Sequence, residues 1–158
     1  MYLISVVLLT LVLPAGSVLV AQSSLHNAVP VMVLVGTWFA FWAGGVRLFI
    51  AGLRQMIQPR FTSETIFGIG SDDPLPFVQE LGMANVAMGT LGIAAGFVPV
   101  FVLPAAIVGG LYYALAGVRH AMRRGRTANE TVAMVSDLFV GVVLLAYVCW
   151  AIASYGGM

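Results

Sequence analysis

Residues 30–57 read PVMVLVGTWFAFWAGGVRLFIAGLRQMI. Sixteen residues without a charge separate Pro30 from Arg47. A hydrocarbon core takes roughly 20 apolar residues as a helix, so the stretch predicts a membrane-crossing helix over 30–57. Pro30 suits its start, where a missing N–H costs no helical hydrogen bond. Four further runs repeat the pattern, at about 2–21, 77–97, 101–122 and 128–155. The breaker Asp72-Asp73-Pro74-Leu75-Pro76 precedes the third span, and Pro104 falls in the first turn of the fourth. Thr127-Ala128-Asn129-Glu130 opens the fifth with a capping-box pattern, in which two orphaned amides are satisfied reciprocally. Lipid leaves unpaired backbone groups without partners, so each span is expected to be helical. No sustained period-two alternation points to a β-barrel. The expected fold is an all-α integral membrane protein, a bundle of five transmembrane helices forming one domain over 1–158.

Composition agrees. The 158 residues are 61% hydrophobic and 8% charged, and the mean hydropathy is +1.02. Soluble domains run at about 45–50% apolar and about 25% charged. A chain this apolar cannot cover a water-facing surface. It also lacks the basic face that nucleic acid requires. The partners expected are the lipid bilayer, and a second copy or a partner membrane protein. The first span resembles a signal peptide in length, but it lacks a positive leading region and a small-residue cleavage site. It is read as a retained span, kinked at Pro14. Four spans behind a cleaved leader is the alternative. The one cysteine, Cys149, excludes a disulfide within the chain and is expected to pack as a small apolar residue.

Seven arginines and no lysine carry the positive charge. Arg54 and Arg60 follow the second span, and Arg119, Arg123, Arg124 and Arg126 close the fourth. The turns at 22–29 and 96–99 and the tail at 154–158 carry no charged side chain. The positive-inside rule then places the Arg loops in the cytoplasm of a bacterial inner membrane, N-terminus inside and C-terminus outside. The loop 58–76 is cytoplasmic too. Its Phe61, Ile66, Phe67 and Ile69 leave two readings, an amphipathic connector or a segment that re-enters the bundle.

Three ionisable residues fall within apolar runs: Arg47, Glu80 and Asp137. Each costs on the order of 3 kcal/mol on insertion scales, so each should face the protein interior and pair. Ala40, Ala43, Gly44, Arg47, Ala51 and Arg54 share one face of span two, which predicts a close-packing surface carrying Arg47. Span three carries Gly82, Asn85, Gly89, Gly92 and Gly96 along one stripe. Span four aligns Gly109, Tyr113, Ala116 and His120. The predicted buried polar network is Arg47, Glu80, Asn85, His120 and Asp137, with Arg47 pairing first with Glu80 and second with Asp137. The predicted packing glycines are Gly44, Gly82, Gly89, Gly92, Gly96 and Gly109. Two roles stay open for the network. It either fixes which helices pair, or it forms a polar site for a headgroup, a quinone or a proton.

No metal site is expected. His26 and His120 are predicted at opposite ends of the membrane, too far apart to share a haem iron. No HExxH, DxxD cluster or GxSxG is present, so intramembrane hydrolysis has no candidate residues. Trp38 and Trp42 are expected to be interface or packing residues.

The order of residues resembles the DoxX-like four-helix membrane proteins. The stretches concerned are Val46-Arg47 through Gly52-Leu53, Gln79-Glu80 through Asn85 and Gly89, and Ala116-Gly117-Val118-Arg119-His120. The segment from Trp38 to His120, with Gln55, Pro59-Arg60-Phe61-Thr62 and Ile66-Phe67-Gly68, is more similar to a small bacterial membrane family known only as a domain of unknown function. The DoxX resemblance implies a four-helix core plus an N-terminal helix, with Arg47 and Glu80 as its polar pair. It also implies a role as a membrane subunit of quinone-linked oxidoreductases or a helper in redox maturation. The functional expectation is a non-enzymatic subunit or assembly partner of a membrane complex, with no cofactor. The alternatives are a quinone- or lipid-headgroup-binding redox subunit and a small proton-coupled transporter.

Overall fold

A computed structural model describes residues 2–25 and 28–155. His26, and with it the haem-spacing argument, lies outside the described residues. Five long helices follow one another: α1 (Tyr2–Ser24), α2 (Val31–Ile57), α3 (Leu75–Ala95), α4 (Val102–Met122) and α5 (Ala128–Tyr155). There is no strand among the described residues. Four of them, α1, α2, α4 with its leading turn from Pro99, and α5, are long and apolar enough to cross a membrane. The apolar run of α3 is broken by Gln79, Glu80 and Asn85.

Close approach is set by glycine. A Cβ on Gly92 would lie 2.5 Å from the Gly45 backbone, one on Gly89 2.5 Å from Phe49 N, and one on Gly52 2.6 Å from Gly82 O. Positions 45, 49 and 52 therefore meet 92, 89 and 82, so α2 and α3 run antiparallel. Gly96 packs on the Phe41 ring. In the same way Gly110, Gly117 and Gly141 let α4 lie antiparallel on α5, against Leu145, Leu138 and Ala114. Gly109 packs on Leu144 and approaches Gly44, which joins α2 to α4, and Gly36 lies against the Tyr147 ring. Gly36, Gly45, Gly52, Gly110, Gly117 and Gly141 are contact glycines that the sequence stripes did not single out. The core sets fully buried alanines (Ala40, Ala43, Ala106 and Ala151) among larger residues such as Phe39, Tyr113, Val140 and Leu144. Large apolar side chains such as Ile4, Leu19, Leu115 and Val142 point outward. Large apolar residues thus occupy the outside as well as the core. That is expected where lipid is as apolar as leucine and association rests on close packing.

Three stretches are wound as π-helix: Leu8–Val12 in α1, Ala40–Arg47 in α2, and Phe61–Ile66 in the connector after α2. Such widened turns leave backbone groups unpaired within the helix and cluster at functional sites. In α2 the Tyr113 hydroxyl donates to Ala43 O at 2.6 Å. The connector is not a solvated loop. Thr62, Ser63 and Ile66 are buried, and Thr127 and Arg123 donate to Ile66 O and Phe67 O at 2.7 Å each. It is therefore pinned across the ends of α4 and α5.

Two local expectations are corrected. Glu130 N donates to Thr127 Oγ1 at 3.0 Å, but the Glu130 carboxylate does not return to cap Thr127. It turns instead to His120 and Arg123. Cys149 is exposed on the outer face of α5 rather than packed inside.

Candidate functional site

Leu9, Arg47, Phe61, Thr62 and Ile66, all from the π-wound stretches, line one cavity of about 210 Å³. It reaches the outer surface of the bundle beside Ile50, which is exposed. Arg47 lies on its wall, where the widened turn of α2 ends. Its Nη2 donates to Asp137 Oδ1 at 2.9 Å and to Ser136 Oγ at 3.0 Å, and its guanidinium lies 5.0 Å over the Tyr113 ring. Only 13% of the Arg47 side chain and 10% of the Asp137 side chain is exposed. Arg47 Nη1 has no hydrogen-bond partner.

Asn85, from α3, donates through Nδ2 to Gln55 Oε1 of α2 at 2.7 Å, and both residues are buried. Asn85 Oδ1 accepts nothing. Arg47 and Asn85 both line the cavity, and each keeps one buried polar atom without a hydrogen-bond partner. His120 completes the wall from α4. Its Nε2 is 3.9 Å from Asp137 Oδ2, and its Nδ1 is 3.0 Å from Glu130 Oε1. The Phe67 ring stacks on the imidazole, with centroids 5.7 Å apart. Tyr2, Tyr112 and Tyr113 add aromatic surface, and Arg54 covers the Phe61 ring at 3.3 Å.

Four of the five predicted network residues therefore surround one cavity. Glu80 does not, and the expectation that it is Arg47's first partner is corrected. It is exposed and makes no ion pair among the described residues. The reason is helical phase. Gly82 faces α2, and two residues turn a helix by about 200°, so Glu80 points away from that contact. Its neighbour Gln79 reaches back to Met56 O at 3.2 Å. Sequence reasoning missed Gln55, Ser136, Phe67, Arg123 and the buried role of Glu130. Spacing held part of the signal. Glu130 stands two turns before Asp137, and Arg123 one turn after His120, so each shares a face with a residue already singled out.

Among the described residues no three His, Cys, Asp or Glu side chains are placed to hold a metal ion. The wall offers hydrogen bonds and flat apolar rings. This is an all-helical bundle with membrane-length helices and, between them, a largely apolar cavity that carries a few polar groups. The chain belongs to a family of unknown function, DUF6790, whose model matches residues 1–155. No curated protein and no solved structure matches it.

Proposed function

We propose that this chain is a five-span protein of a bacterial cytoplasmic membrane, a subunit without chemistry of its own that binds the head of a quinone-class amphiphile in its cavity. The carrying observation is that Arg47 and Asn85, each with one buried polar atom lacking a partner, line an aromatic-walled cavity that opens to the outside of the bundle. A quinone head is a flat ring whose carbonyl accepts a hydrogen bond, and in its reduced form its hydroxyl donates one. The reduced head meets both needs, accepting from Arg47 and donating to Asn85, while the oxidised head answers Arg47 alone. Its isoprenoid tail would leave past Ile50 into lipid. Arg47, tied to Asp137 and Ser136, positions its idle nitrogen and does not itself react. For the fifth span, α3 is about 30 Å long at 1.5 Å per residue, enough for a hydrocarbon core. Its most buried polar group, Asn85, is turned onto Gln55 and away from lipid.

The test is extraction in a mild detergent, mass spectrometry of co-purifying lipid, and titration with the reduced probe decylubiquinol. A quinone in the extract and saturable binding are expected. Asn85→Leu should weaken that binding by about tenfold, equivalent to about 1.4 kcal/mol. Absence of quinone together with non-saturable binding overturns the proposal. Unchanged affinity in Asn85→Leu removes this cavity as its location.

A further inference from the structure

We infer that His120 is a proton carrier that links the cavity to the Arg-rich end of the bundle through Glu130. Three acidic or basic groups from two helices stand in a row, with a hydrogen-bond contact on one side of His120 and a longer gap, wide enough to need a bridging water or a small shift, on the other. Asp137 and His120 stand on the cavity wall, while Glu130 lies behind them and is fully buried. The contacts are 3.9 Å from Asp137 Oδ2 to His120 Nε2 and 3.0 Å from His120 Nδ1 to Glu130 Oε1. Beyond them Glu130 Oε2 lies 3.1 Å from Arg123 Nη1. Arg123 is partly exposed and lines an open cleft at the end of α4 with Arg124, Arg126 and Thr131.

A purely structural pair does not require this layout. A histidine that only ties α4 to α5 needs one carboxylate. This one has a carboxylate facing each ring nitrogen, one on the cavity and one toward the surface. The transfer balances simply. Nε2 takes a proton from the cavity side, from Asp137 or a bound head. Nδ1 releases its own proton to Glu130 Oε1, and the ring is left neutral as the other tautomer. Glu130 is fully buried and does not line the cleft, so its proton reaches the water there only when the half-buried Arg123 side chain swings aside. Arg123 holds the carboxylate in place and keeps its own proton.

The other groups around the ring are accounted for. The connector presents only the uncharged Phe67 ring. From α2, Arg47 acts through Asp137, and from α1, the Tyr2 phenol shares the cavity wall. From α4 itself, Arg126 donates to His120 O and does not touch the ring.

The line of groups does not depend on what the cavity holds, so its test needs no ligand. Protein labelled with 13C-histidine, in a His26→Gln background and in phosphatidylcholine nanodiscs, is taken through a pH jump across the ordinary histidine range, about 6.5. Time-resolved infrared absorption of the labelled imidazole reads the protonation rate and its final extent. Glu130→Gln should slow protonation by about a hundredfold, the low end of what a positioned acid or base contributes, while the final extent stays large. Glu80→Gln, exposed and outside the line of groups, should leave the rate unchanged. Glu130→Asp, which keeps the carboxyl but retracts it, should give an intermediate rate and serves if Glu130→Gln does not fold. A ring that never changes protonation, or equal rates in wild type and the Glu130 variants, overturns the relay. Decylubiquinol titration of the same preparations separates this result from the fate of the quinone proposal.

Discussion

Consider replacing Arg47 and Asp137 singly and together, Arg47→Met to keep the stem and Asp137→Leu to keep the bulk. The two are joined at 2.9 Å with about one-tenth of each side chain exposed. Removing one member of such a pair leaves the other charge buried alone, which costs about 3–5 kcal/mol. Arg47→Met also strips a hydrogen bond from Ser136, a further 1.5–3 kcal/mol or so for a bond to a charged group. The two single losses therefore sum to about 8–13 kcal/mol, taking both ranges at their ends. The double variant buries two apolar side chains where two charges stood, and such swaps are often close to neutral. The coupling should then be several kcal/mol, far above the few tenths expected of independent sites. The assay is reversible unfolding in mixed micelles, monitored by the tryptophans. Glu80→Leu is the control: exposed and unpaired, it should change stability by no more than about 0.5 kcal/mol. Additive losses at Arg47 and Asp137, or a Glu80→Leu loss as large as either, would refute the pairing described above.

Glycine contacts and orientation give two further predictions. Gly92→Ala places a Cβ 2.5 Å from the Gly45 backbone, where neither helix can yield locally, and should lower the melting temperature sharply. Gly16→Ala meets nothing within 4 Å and should raise it slightly, because alanine is favoured over glycine in a helix by about 1 kcal/mol. Equal effects at the two sites would mean that α2 and α3 are not in close contact. Single cysteines at Ser24 and Gly70, in a Cys149→Ala background, test which end is cytoplasmic. An impermeant thiol reagent added outside intact cells should modify position 24 and spare position 70, and the reverse pattern would invert the topology.

Much of the architecture was legible because lipid simplifies the code. Apolar runs of membrane length must be helices, since nothing else pairs the backbone there. The glycine stripe 82, 89, 92, 96 was visible as a face, and each of its members does meet a neighbouring helix. The depth of Arg47 was visible as well, because burial cost depends on position along a span and not on neighbours. Its partner was a different kind of question. Sequence reasoning put Glu80 ahead of Asp137, and the choice turned on rotation about the helix axis. The contact between Gly82 and Gly52 fixes the phase of α3 and swings Glu80 outward, while α5 presents Ser136 and Asp137 to Arg47.

The sequence by itself therefore determined the solvent of the protein, the helical segments, and which residues would be costly to leave unpaired. These are properties of single positions and of local periodicity. Only the tertiary structure decided that Glu130 leaves its expected cap for His120 and Arg123, and that Gln55 answers Asn85. It also decided that residues 61–67 fold over the end of α4 to close one side of the cavity. Those outcomes depend on the relative rotation and register of helices far apart in the chain. Backbone-to-backbone contact at glycines sets that register, and no one segment records it.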